Sequence, residues 1–117
     1  MATSALTEAV FSLPETDRSG GVALARDFAR RTVLTCGYRG SHEDVVLVVD
    51  ELAADAVRHG GRPVVRLRAG TDRVRVEVVD DARSEPRAHR RLAAVLADRW
   101  GVVELAGQKV VWCELTA

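Results

Sequence analysis

A chain of 117 residues has the length of one domain, and 47% apolar with 29% charged residues is the composition of a folded chain and not of a disordered one. Seventeen basic residues balance seventeen acidic ones. A neutral chain has no general electrostatic hold on a phosphate polymer or an anionic membrane, which argues against nucleic-acid and membrane partners. The longest strongly apolar stretch, Val45-Val46-Leu47-Val48-Val49, is far short of a membrane span, and Met1-Ala2-Thr3-Ser4 opens no secretory leader. Cys36 and Cys113 are too few and too distant for a zinc or disulfide framework. The expectation is a cytoplasmic protein with reduced thiols and no structural metal.

In chain order, Ala9–Leu13 alternates and stops at Pro14, which predicts a short edge strand. Asp17 or Ser19 caps a helix over about Gly21–Cys36, where Val22, Ala25, Phe28, Ala29 and Val33 recur at helical spacing, and Gly37 ends it. Ser41 opens a second helix with capping-box spacing to Asp44, and that helix runs to about His59 before Gly60-Gly61. It is apolar over more than half its circumference and belongs deep in the fold. Val64–Ala69 and Arg73–Asp80 then alternate with period two around a Gly70-Thr71-Asp72 turn. Val74, Val76 and Val78 share a face with Asp80, whereas Arg73, Arg75 and Glu77 point the other way. After a polar loop over Asp81–Arg87, helical spacing returns at Leu92, Val95, Leu96 and Arg99. Trp100–Leu105, a Gly107-Gln108 turn and Val110–Thr116 predict a closing hairpin, with both tryptophans packed in the core or on the sheet. The order β-α-α-β-β-α-β-β predicts an α+β two-layer sandwich in a single domain over residues 1–117.

Chemistry is concentrated at a few positions. Glu51, Asp55 and His59 follow at steps of four and lie along one stripe of the second helix. On so apolar a helix this stripe faces a cleft or another polar surface. Paired carboxylates there suit a divalent cation or acid/base work, although Arg58 can neutralise Asp55 and the stripe can equally be solvated. Asp80 ends a core-facing strand and requires donors, from a ligand, a water or the following loop. Arg83, Arg87, His89, Arg90 and Arg91 crowd the start of the last helix, either as a solvated loop or as a patch for phosphate or an acidic partner.

The segment Leu47-Val48-Val49-Asp50-Glu51-Leu52-Ala53-Ala54-Asp55-Ala56-Val57-Arg58-His59-Gly60 resembles the N-box of the GHKL (Bergerat-fold) ATPases. It is most similar to the small bacterial branch of anti-sigma-factor serine kinases, whose box reads E-L-x-x-N-A-x-x-H. Val76–Pro86 is similar to that branch's first glycine box, and Ala97-Asp98-Arg99-Trp100-Gly101 with Val111-Trp112 resembles its C-terminal end. The resemblance covers nearly the whole chain. It implies a Bergerat-type sandwich with a mixed, mostly antiparallel sheet and three helices on one face.

The resemblance further implies ATP and magnesium as cofactors. Glu51 would be the general base, Asp55 would stand at the magnesium position, and Asp80 would receive the adenine amino group. His59 and Ala82 would complete the motif positions at the nucleotide. It also implies a protein partner, a sigma factor or an anti-anti-sigma-like protein, and a possible homodimer. The departures point elsewhere. Asp55 replaces Asn, Ala82 replaces Gly or Ser, and no glycine occurs between Asp72 and Trp100, where the family has a lid and a glycine turn around phosphate. The leading expectation is therefore a degenerate regulatory protein that binds a partner with ATP binding weakened or lost. The alternatives are an active protein serine/threonine kinase and, last, a non-nucleotide acid/base enzyme using Glu51, Asp55 and His59.

Overall fold

The structure is a computed structural model that describes residues 6–14, 18–81 and 91–117. Its elements follow the expected order: β1 (Thr7–Ser12), α1 (Arg18–Thr35), α2 (His42–Arg58), β2 (Val64–Ala69), β3 (Arg73–Asp81), α3 (Arg91–Leu96), β4 (Arg99–Leu105) and β5 (Gln108–Thr116). The five strands form one sheet in the order β1-β2-β3-β5-β4. Each neighbouring pair is antiparallel, so the antiparallel character extends to every pairing of a sheet expected to be only mostly so. The chain leaves β3, passes through α3, lays β4 at the edge and turns back to insert β5 beside β3. That insertion places the last strand against Asp80.

Helix boundaries follow their caps. Ser41 precedes α2 in extended conformation, and its side chain accepts from the Asp44 amide at 3.1 Å. The C-terminus of α2 closes with paired bonds, Gly60 N–H to Val57 O and Gly61 N–H to Ala56 O, around Gly60 at φ +83°. The end of α1 repeats the arrangement through Gly37 and Tyr38. This double bond pattern needs a left-handed residue after the helix, which glycine adopts without steric cost. The last helix is shorter than its spacing suggests. It ends at Leu96 because the Asp98 amide already bonds Glu114 O at 2.8 Å, which draws Arg99 into β4. The β4–β5 turn lies one residue earlier than expected. Ala106 and Gly107 both have positive φ, as a two-residue hairpin between the paired Leu105 and Gln108 requires.

The core lies between the helices and one face of the sheet. Val33 of α1, Val45 and Val49 of α2, Leu67 of β2, Val76 of β3 and Cys113 of β5 are fully buried there. Phe11 of β1 stacks on Phe28 of α1 with ring centres 5.4 Å apart. The sheet's other face carries Arg66, Arg68, Arg75, Glu77, Trp112 and Glu114, as strand alternation predicts. Trp112 packs on this face, where the Arg75 guanidinium lies 4.5 Å from its ring centre. Trp100 is not a core residue: it is 41% exposed on the edge strand. None of the described helices is long and apolar enough to cross a membrane.

Candidate functional site

The stripe Glu51, Asp55 and His59 exists as a line on α2, but its three members do different things. Glu51 Oε2 accepts from the Ala93 amide at 2.8 Å and so satisfies a free N–H in the first turn of α3. This bond couples the two helices across 42 positions of sequence. His59 follows the helix end and turns back on it, with Nδ1 at 2.8 Å from Asp55 O. The ring thereby reaches a carbonyl of the last turn that also accepts from the His59 amide at 3.3 Å.

Asp55 points inward. Its Oδ1 is buried with no hydrogen-bond partner among the described residues, and it lies 3.5 Å from His59 Nδ1 and 3.8 Å from Arg58 Nη1. A buried carboxylate oxygen without a donor calls for a water, an ion or a ligand group. It opens on a small recess lined by Leu52, Asp55, Ala56, Val78, Asp80, Lys109 and Val111. The recess has a volume of about 20 Å³, enough for a single water.

Asp80 is 6% exposed on the core-facing side of β3, as the alternation predicts. The loop after α2 crosses close above it. A Cβ at Gly61 would lie 2.1 Å from Asp80 Oδ1, so glycine is what allows the backbone to pass over the carboxylate. Directly opposite Asp80 in the β3–β5 ladder stands Lys109, 5% exposed and lining the same recess. It is the only lysine of the chain. A buried ammonium beside two carboxylates lowers the cost of burying all three charges.

Comparison with solved structures places this arrangement on a known fold. The chain superposes on a crystal structure of the RsbU and RsbW domains of Rv1364c from Mycobacterium tuberculosis with a TM-score of 0.70 and 22% sequence identity. The match covers 93% of this chain and 32% of that one. No protein-family model and no curated protein matches the sequence. At this identity the likeness establishes the fold, an α+β sandwich with five antiparallel strands and three helices.

On that fold, Asp55 and Asp80 come together at one recess, while Glu51 is directed to α3 and His59 to the helix end. Ala82, Arg83, Arg87, His89 and Arg90 lie outside the described residues, and Arg91 opens α3 without a described side chain. Among the described residues no cluster of three metal-ligating side chains occurs. Lys109 and Gly61 are the site residues that sequence reasoning missed. The signal for Lys109 was present: Lys109, Val111, Cys113 and Leu115 continue one alternating face, so a single charged residue extends an apolar series.

Proposed function

We propose that the protein is a regulatory domain of the anti-sigma-factor kinase type that acts by binding a protein partner, a sigma factor or an anti-anti-sigma-like protein, with ATP binding weakened or lost. The observation that carries this reading is the filling of the recess. An adenine directed at Asp80 would need far more than about 20 Å³. It would also meet Lys109, a donor that already presents a cation at the position facing the acceptor. The sequence departures after Pro86 point the same way, and the likeness to RsbU and RsbW domains supports a place in sigma-factor regulation. The fit between these residues and a nucleotide is poor.

A second reading, an active ATP- and magnesium-dependent kinase, is favoured by Asp55 Oδ1. This oxygen is buried without a donor among the described residues, and magnesium prefers such oxygen ligands. In that case Glu51 would act as base and Asp80 would hold adenine. Melting the protein with and without Mg-ATP decides between the two. A ligand at a hundredfold excess over Kd stabilises the folded state by about 2.7 kcal/mol. The expected result is no appreciable rise in Tm at millimolar Mg-ATP. A rise that Asp80→Ala abolishes would overturn the loss of ATP binding and favour the kinase reading.

A further inference from the structure

A cavity bounded by described residues lies on the other side of the sheet from Asp80. It has a volume of about 350 Å³ and lies where β3 begins and β5 ends. Its walls carry the side chains of Arg68, Arg73, Arg75 and Arg99.

These arginines belong to a ladder of alternating charge that crosses the outer face. Glu8 lies 3.4 Å from Arg68 and 3.9 Å from Arg66. Glu77 lies 3.3 Å from Arg66 and 3.1 Å from Arg75, and Glu114 joins Arg75, at 3.2 Å, to Arg99. Every acid of the ladder thus serves two arginines, and the series begins and ends on a cation. Arg68 and Arg99, the two ends, each have a single shared acid. Both ends line the cavity, and so does Arg73, which has no ion pair among the described residues.

The remaining acid at the wall, Asp98, is already engaged. Its Oδ2 accepts from the Thr116 amide at 2.7 Å and from Thr116 Oγ1 at 2.6 Å. Arg68 and Arg75 are also direct cross-strand neighbours, a like-charge pairing that Glu8, Glu77 and Glu114 offset from its flanks. Four guanidinium groups, of which Arg73 has no ion pair among the described residues, line one concavity of ligand size alongside the carboxylates of Glu77, Asp98 and Glu114. A guanidinium matches the planar fork of a carboxylate or phosphate with two parallel hydrogen bonds.

We propose that this cavity binds a small organic oxyanion, a polycarboxylate or a phosphate monoester, through Arg73 with Arg68 and Arg99. The site is independent of the nucleotide question, because it lies on the opposite face from Asp55 and Asp80. Calorimetric titration of the full chain at low ionic strength with citrate and, separately, with O-phosphoserine tests it. One probe or both should bind with 1:1 stoichiometry, and the stronger names the head group. Arg73→Gln should weaken that binding by about tenfold or more. Arg30→Gln removes an equal charge from exposed α1 and should leave it unchanged. A thermal melt of each variant checks that the fold is intact, the expected outcome for Arg73, which has no ion pair among the described residues. Failure of both probes to saturate, or equal weakening by the two substitutions, would overturn the proposal.

Discussion

Gly61 has a role that no side chain can share. Its backbone crosses above a carboxylate buried at the end of β3, and the first carbon of any side chain would overlap that carboxylate. Asp80 is short and buried, so it cannot swing aside. Gly61→Ala should cost about 1–3 kcal/mol of stability, read as a lower urea midpoint at unchanged slope. Lys109 is the second residue whose role depends on position. As a unique lysine it is compositionally conspicuous in an arginine-rich chain. Its significance comes from register, because Asp80↔Lys109 is one rung of the β3–β5 ladder. The alternation of β3 was enough to predict a buried Asp80. It could not predict the partner strand, since pairing between positions 29 residues apart is settled by packing.

At the scale of elements, the helix caps and hairpins were the most legible part of the chain. Ser41, Gly37 and Gly60 announce helix ends because the chemistry of an end is local: one side-chain acceptor, or one left-handed residue. The β4–β5 turn shows where local reading loses a residue. A two-residue hairpin needs positive φ at both central positions, and here the first is Ala106 at φ 52°. An alanine carries a steric penalty there that Asn carries less. Ala106→Asn should therefore stabilise the protein by about 0.5–1 kcal/mol, measured as a rise in the denaturant midpoint. The short α3 was less legible. Its spacing continues through Arg99, yet Asp98 and Arg99 bond to β5, and a sheet edge outcompetes one more helical turn. The Glu51 bond to Ala93 belongs to the same lesson: a carboxylate read as a chemical group also anchors a neighbouring helix.

For the whole molecule, the layered arrangement makes stability depend on groups trapped where the layers meet. Tyr38 follows α1, is 4% exposed, and stacks near His42 at the start of α2. Burial first, and then the negative charges of Asp98 and Asp44, push its phenol above the ordinary value. The unfolded chain thus ionises this tyrosine at a lower pH than the folded one. Its contribution is fully present below about pH 10 and is lost as pH rises from there through the folded-state value. Tyr38→Phe should flatten the alkaline fall of Tm above pH 10, which melts at several pH values will show.

The amino-acid sequence alone determined the element order, the two-layer α+β class, the caps and the inward face of each strand. All of these follow from periodicity and from backbone preferences that act within a few residues. The tertiary structure decided which strand lies against Asp80, how little space remains around it, where Glu51 is committed, and how the arginines of three strands meet in one cavity on the far face. Those outcomes depend on contacts between distant positions, and on volumes left over after side chains pack. Neither quantity is written in any local window of the chain.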